Sequence, residues 1–423
     1  MLLLSRFRLN RLALALLVPA VFVLAGEPAR TDAFRMIQID GGAAESMGVA
    51  DFNQDGKLDV VSAESWYEAP GWAKHAIRPI PVASGYIDSF SDLPLDVDED
   101  GFTDVIQIGY FARRIVWMKN PGRSGGPWTE NLIEAVGPTE FAFLVDLDND
   151  GRARELLPQF TGAANGQLCW YGLKDGKWTR HVVDPVGYHG HGIGAGDVNG
   201  DKRNDILTPA GWFEAPADIM AVANWTFHET DWKRKAIPAP APGQATPTQP
   251  APVVVPAAGA APAQARDAEW GFMYVLDLNG DGRNDVLTSS AHSYGLCWFE
   301  QKADGTWTQH IIDHSWSHLH ATVLADVNGD GQPDLVTGKR FQARNRPAPG
   351  DDDPLGLYWY EFTRGAGGAV TWTRHTIDYG SKAGGGLQMA VRDIDGDGDM
   401  DVLSAGKTGL FLAENLTKDA VKR

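Results

Sequence analysis

Asp51, Asn53, Asp55 and Asp59 put oxygen-bearing side chains at positions 1, 3, 5 and 9 of a short segment, with Gly56 at position 6 for a sharp turn. The spacing returns at Asp96, Asp98, Asp100 and Asp104, and at Asp146, Asp148 and Asp150. It recurs at Asp197, Asn199, Asp201 and Asp205, and at Asp277, Asn279, Asp281 and Asp285. Two further copies hold Asp326, Asn328, Asp330 and Asp334, then Asp393, Asp395, Asp397 and Asp401. Such donors suit Ca²⁺, a hard cation that takes roughly six to eight oxygens, backbone carbonyls among them. An EF-hand would carry Glu at position 12, where Ser62, Gln107 and Thr288 stand instead. Two of the seven loops are degraded: Arg154 replaces the ninth residue of the third, and Lys202 the glycine of the fourth.

A second pattern is rarer. His189 and His191 lie eight and six residues before the first Asp of the fourth loop, and His318 and His320 hold the same places before the sixth. On a strand, side chains two apart share a face. The same register holds Glu45, Asp88, Glu140 and Glu269 before other loops. The expectation is a ring of ionisable residues in which His189, His191, His318 and His320 hold one Zn²⁺, Mn²⁺, Ni²⁺ or Fe²⁺, since imidazole suits these metals. For chemistry, His191, His320, Glu269, Glu140 and His292 are candidate acids or bases, and Lys339, Arg340, Arg113 and Glu64 candidate substrate contacts. The competing expectation is that these are channel residues bonded to water and to one another.

These residues need a repeating frame. A strand precedes each acidic loop and another follows it, as at Val60, Val105, Ile206, Val286, Leu335 and Val402. An aromatic strand comes next (Trp66, Trp117, Trp170, Trp212, Trp298, Trp359), and a fourth often reads Trp-x-x-His, ending at His75, His181, His310 and His375. Four antiparallel strands repeated radially make a propeller. The last unit shows three strands, and residues 34–40 read as the missing fourth, which would remove an open edge. The expected fold is all-β: a seven-bladed β-propeller of four-stranded antiparallel blades over residues 26–423, its last blade closed by an N-terminal strand. By strand order, the acidic loops lie on the face opposite the histidine ring and serve stability. The Trp-linked histidines, and Cys169 and Cys297, read as structural.

The loop-and-strand pattern resembles the FG-GAP/VCBS repeats of integrin-α-like propellers, over nearly the whole chain after residue 25. That resemblance implies the propeller fold and leaves function open, because such repeats serve adhesion, carbohydrate binding and catalysis. Residues 66–75 and the His-x-His strands are also similar to the propeller part of aldos-2-ulose dehydratases, whose cupin and lectin-like parts are absent here. This looser resemblance implies a metal-dependent carbon–oxygen lyase acting on a sugar or keto-sugar. The alternative is a non-catalytic integrin-like module that binds carbohydrate or protein.

Arg6, Arg8 and Arg11 precede an apolar run from Leu12 to Ala25, the pattern of an export signal cleaved near residue 25. The expected location is periplasmic or extracellular, with no membrane span after cleavage. Residues 236–266 hold eight of the 25 prolines and are expected to form a disordered insert. The net charge of −18 argues against a nucleic-acid partner, and two cysteines in 423 residues cannot form a disulfide framework. Expected partners are a carbohydrate or other small polar ligand, and an extracellular protein.

Overall fold

The computed structural model describes residues 34–83, 85–161, 167–185, 189–220, 225–240, 252–254, 267–342 and 348–418. Among them there is no α-helix, only strands and three short 3₁₀ turns. The arrangement is a β-propeller of four-stranded antiparallel blades.

The first blade runs Gly48–Ala50, Asp59–Ser62, Ser65–Glu68, Ala73–Ala76, each strand pairing with the next. The second runs Ser91–Leu95, Asp104–Gly109, Arg114–Lys119, Thr129–Ala135, and the third Thr139–Val145, Glu155–Phe160, Leu168–Lys174, Lys177–Asp184. An eight-stranded sheet follows. One half comprises Ile193–Gly196, Asp205–Thr208, Gly211–Glu214 and Thr226–Glu229; the other Phe272–Leu276, Asp285–Ser289, Tyr294–Gln301 and Trp307–Ser317. The halves join where Ile193 and Gly194 run parallel to Phe272 and Met273. Glycine is required there, because a Cβ on Gly194 would lie 2.0 Å from the Met273 carbonyl oxygen. Next come Thr322–Ala325, Asp334–Gly338, Gly356–Arg364 and Val370–Tyr379.

The final sheet takes its outer strand from the other end of the chain. Phe34–Asp40 pairs antiparallel with Gly409–Asn415, Phe34 opposite Asn415 and Asp40 opposite Leu410. Arg35 Nε donates to Glu414 Oε2 at 2.8 Å across this seam.

The second strand of each blade is buried on both faces, which is why it reads as a continuous apolar run such as Val60-Val61 or Val105-Ile106. Packing is between neighbours. Val61 meets Val105 and Val116; Ile106 and Trp117 meet Leu156 and Tyr171; Leu403 and Leu412 meet Val60 and Tyr67, joining the last blade to the first.

The insert boundary shifts. Ile237 is buried and packs with Trp232, Trp212 and Cys297, so residue 236 lies in the core-forming chain rather than in a disordered tract. Pro252–Val254 pairs with Thr371–Thr373, adding a fifth strand to that sheet. Residues 241–251 and 255–266 of the Pro/Ala tract, and the export signal, lie outside the described residues.

Candidate metal centre

Glu140, His191, His292 and His320 present one donor atom each, all within 4.8 Å of one another. His191 Nε2 lies 3.1 Å from Glu140 Oε2 and 3.1 Å from His292 Nε2. His292 Nε2 and His320 Nε2 lie 3.3 Å and 3.4 Å from Glu140 Oε1. The four come from separate parts of the chain: the strand Thr139–Val145, the segment before Ile193–Gly196, the turn before Tyr294–Gln301, and the segment before Thr322–Ala325.

Local backbone geometry fixes His191. Its Nδ1 donates to the Trp270 carbonyl oxygen at 2.8 Å, and Trp270 N–H returns a bond to the His191 carbonyl. Flanking Gly192 has φ +133, and a Cβ there would lie 2.9 Å from Trp270 Cβ. With Nδ1 donating to Trp270, His191 turns its Nε2 toward Glu140. Phe141 packs edge-on against the His191 and His320 rings, with centroids 5.5 and 5.0 Å away.

Burial sets the charge state. It pushes His292 down to about 4 and His320 well below the ordinary histidine range, so both are neutral at pH 7. Burial alone would raise the Glu140 carboxyl, but His191 and the other two imidazoles outweigh it and hold Glu140 well below the usual carboxylate range. The arrangement is three imidazoles around one carboxylate, and among the described residues His292 Nδ1 and His320 Nε2 have no partner in hydrogen-bonding geometry.

Beyond the donors lies a buried chain of charges. Arg340 Nε donates to Glu45 Oε2 at 2.9 Å while its Nη1 approaches Glu140 Oε1 at 3.5 Å. Lys407 Nζ lies 2.8 Å from Glu45 Oε1 and 3.9 Å from the Tyr86 ring centroid.

The histidine pairs split. Glu45, Glu140, His191 and His320 all stand six residues before an Asp-rich loop, and these converge. The residues at eight do not join them. His189 Nε2 pairs with Asp184 at 2.6 Å, and His318 Nε2 bonds the Pro349 carbonyl oxygen at 2.8 Å. Asp88 accepts the N–H groups of Phe111 and Ala112. Simple alternation fails because Gly190 (φ +110), Gly192 and His318 (φ +61) adopt left-handed backbone just before the strands begin. The fifth repeat carries Gly271 at the converging position, where a Cβ would meet the His320 carbonyl oxygen and Ser289 Oγ at 2.9 Å, and His292 from the neighbouring turn supplies the imidazole.

The acidic loops share one internal geometry. In the fifth, Asp277 accepts N–H bonds from Asp281 and Gly282, and Asp281 accepts one from Arg283. Buried Asp285 accepts from Leu278 and from Gln301 on the third strand. A family model described as an FG-GAP-like repeat matches residues 277–337. The chain carries an FG-GAP-like repeat. A comparison with curated proteins finds no match. Among solved structures, BBS1N in complex with ARL6DN aligns at 10% identity over 90% of this chain and 96% of that chain, TM-score 0.50, a likeness of fold. The rhamnogalacturonan lyase YesW aligns at 12% identity over 91% and 76% of the two chains, TM-score 0.46. A lectin from Agrocybe aegerita that recognises non-reducing terminal N-acetylglucosamine aligns at 15% identity over 89% and 81%, TM-score 0.31.

The FG-GAP-like loop geometry persists in both degraded copies. Lys202 takes the glycine conformation (φ +70) and still donates its N–H to Asp197. In the third loop Glu155, one residue beyond Arg154, accepts the Leu147 N–H as Asp285 accepts that of Leu278. Carboxylate oxygens cluster at Asp96, Asp98 and Asp104, at Asp146, Asp148 and Glu155, and at Asp393, Asp395 and Asp401. Burial pushes Asp104, Asp205, Asp285, Asp334 and Asp401 up to about 7.

The expected substrate contacts are placed elsewhere or already engaged. Arg340 is 2% exposed and clamped between Glu45 and Glu140. Buried Lys339 donates to Ser317 Oγ at 3.0 Å and to the Gly350 carbonyl. Glu64 accepts the Ile80 N–H in its own blade, and Arg113 is an exposed turn residue with φ +54. Glu269 is half-buried, its carbonyl accepting the Ala291 N–H. The Trp-linked histidines stack on tryptophan at 4.0 to 4.3 Å, as Trp66–His75, Trp170–His181, Trp298–His310 and Trp359–His375 do. His228 does the same on Trp212, and its signal, Trp225 three residues earlier, is present in the sequence. Cys169 and Cys297 are buried and free.

Proposed function

We propose that this is an exported, calcium-stabilised β-propeller of seven blades whose central cluster holds one transition-metal ion and acts as a sugar or keto-sugar lyase. Seven blades are supported by treating the eight-stranded sheet as two units joined by a two-residue parallel seam. The seven acidic loops support the same count.

The observation that carries the metal is the spacing of the donors. Ligands about 2.0–2.1 Å from one ion stand about 3.0 Å apart at right angles and about 3.4 Å apart at tetrahedral angles. Four of the contacts, at 3.1, 3.1, 3.3 and 3.4 Å, lie in that window, one of them to Glu140 Oε2 and two to Oε1, and one donor atom from each residue lies within 4.8 Å of the others. Imidazoles, with His292 and His320 held neutral by burial, and an ionised carboxylate suit Zn²⁺, Mn²⁺, Ni²⁺ or Fe²⁺, and His320 Nε2, without a hydrogen-bond partner among the described residues, fits the same use. Glu140, His191, His292 and His320 would be the ligands.

A divalent ion there supplies a Lewis acid for a substrate oxygen. The chain's part is to hold the donors and to manage protons. His191 is fixed by Trp270, and Glu140 is kept ionised. Glu269 is the proposed acceptor of the proton adjacent to the carbonyl, and it passes that proton to the departing hydroxyl, which leaves as water as the C–O bond breaks and the C=C bond forms. Calcium in the loops is supported by the oxygen clusters and by Asp98 Oδ1 and Asp393 Oδ1, which are buried without hydrogen-bond partners. Export rests on residues 1–25 and is tested by N-terminal sequencing of the secreted protein.

A second reading is the non-catalytic binding module, favoured by the low exposure of the centre, whose three histidine side chains are 5%, 4% and 2% exposed. Elemental mass spectrometry of purified protein tests the metal, and turnover of keto-sugars by wild type and a His191→Ala/His320→Ala variant separates the two readings. One transition-metal ion per chain, lost with activity in the variant, supports the enzyme. Calcium alone, with full activity in the variant, overturns it.

A further inference from the structure

The repeat places a tryptophan on the third strand of most blades and stacks a histidine on it. Trp170, Trp212, Trp298 and Trp359 are buried, at 1%, 8%, 3% and 8% exposure. Trp66 holds the same place in the first blade and stacks on His75 at 4.3 Å, yet remains half-buried. The reason is a cleft of about 500 Å³ between this blade and the loop of residues 120–128 in the next.

Its walls are aromatic: Phe52, Trp66, Phe102 and Trp128. The rings are held firmly. His75 Nε2 bonds Glu68 at 2.9 Å, and Asn53 Nδ2 donates to the other Glu68 oxygen at 3.3 Å. The loop is pressed against Phe102 at Gly122 (φ +61), where a Cβ would lie 2.9 Å from the ring. The charges have one sign. Lys74 and Arg123 line the cleft and no Asp or Glu does, in a chain of net charge −18. Lys74 is neutralised by Asp40 at 2.7 Å. Arg123 is exposed and donates to Gln54 Oε1 at 3.3 Å, with no carboxylate partner among the described residues.

A clef of this size suits a small ligand or a short piece of polymer. Rigid indoles offer flat apolar faces, and a free guanidinium offers a planar fork matched to carboxylate. We infer that this cleft binds an acidic saccharide, the C–H face of a uronic acid ring against the aromatic wall and its carboxylate on Arg123. The site is separate from the Glu140 cluster and does not depend on a metal there.

Trigalacturonic acid, galacturonic acid and neutral maltotriose are titrated into the full chain, followed by calorimetry and tryptophan fluorescence. The expected result is saturable binding of the acidic ligands, with the trimer tighter if the natural source is a polymer and equal affinities if it is a free sugar acid. Arg123→Gln weakens that binding roughly ten-fold or more with an unchanged melting temperature, and Arg123→Lys recovers part of it. Binding persists in the His191→Ala/His320→Ala variant, so failure of the metal reading leaves this result intact. Equal binding of maltotriose, full affinity in Arg123→Gln, or no saturation by about 10 mM ligand overturns the proposal.

Discussion

Glu140 Oε2 and His191 Nε2 face each other at 3.1 Å, and the Nδ1 proton of His191 is committed to the Trp270 carbonyl. Two lone pairs at that distance repel unless a proton or a metal ion lies between them. His292 Nε2 also lies 3.1 Å from His191 Nε2, within hydrogen-bond distance. A proton on His191 Nε2 satisfies the contact, and so would the metal ion proposed above.

This arrangement exchanges the roles expected of two histidines from the sequence. His292→Ala is expected to weaken binding of Co²⁺ or Zn²⁺ on the order of 100-fold, and His189→Ala to leave it unchanged, because His189 is engaged with Asp184. Competition titration against a coloured chelator reads both.

The acidic loops contain two kinds of carboxylate. Asp104 accepts the N–H groups of Val97 and Asn120 and ties the loop to the third strand. Asp104→Ala should destabilise the protein by about 2–4 kcal/mol with or without calcium, since it leaves two buried donors unpaired. Asp98→Ala should lower the melting temperature only when calcium is present. Denaturant titrations in calcium and in chelator distinguish the two.

Glu45 is fully buried between Arg340 and Lys407. Removing it leaves two cations without their shared partner, and Glu45→Ala should cost about 3–5 kcal/mol. The double variant Glu45→Ala/Lys407→Met should recover part of that loss. Chemical denaturation of the three proteins measures the coupling.

Burial lowers the Lys339 ammonium from 10.5 to about 8. The folded state thus binds fewer protons than the unfolded state between about pH 8 and 10.5, so the cost of burying the charge fades as pH rises through that window. Stability of wild type relative to Lys339→Met should improve from pH 7 to pH 10 by on the order of 2 kcal/mol. A flat difference between the two stability profiles would contradict the assigned shift.

The propeller was legible because its signals are local and repeated: the Asx loop, the doubly buried strand after it, and the tryptophan on the next. The closing strand at residues 34–40 could be inferred from the missing partner of Gly409–Asn415. The centre was legible by half. Glu140, His191 and His320 share a register, but the direction of His189 and His318 depends on glycine and left-handed backbone that no strand periodicity encodes. Glu155 escaped notice because its longer side chain reaches back across one extra residue. Lys407 belongs to no motif; its place beside Glu45 is set by closure of the ring.

That closure has a consequence for assembly. Lys407 comes from the last blade and Glu45 from the start of the first; the two pair, and Glu45 also pairs with Arg340, which in turn reaches Glu140. The Lys407–Glu45 pair therefore forms only when the last blade meets the first, beside the seam where residues 34–40 pair with Gly409–Asn415. Glu45 thus reports on completeness: a chain that stops short of Lys407 leaves it with Arg340 as its one cationic partner among the described residues, and the second cation arrives only with the last blade.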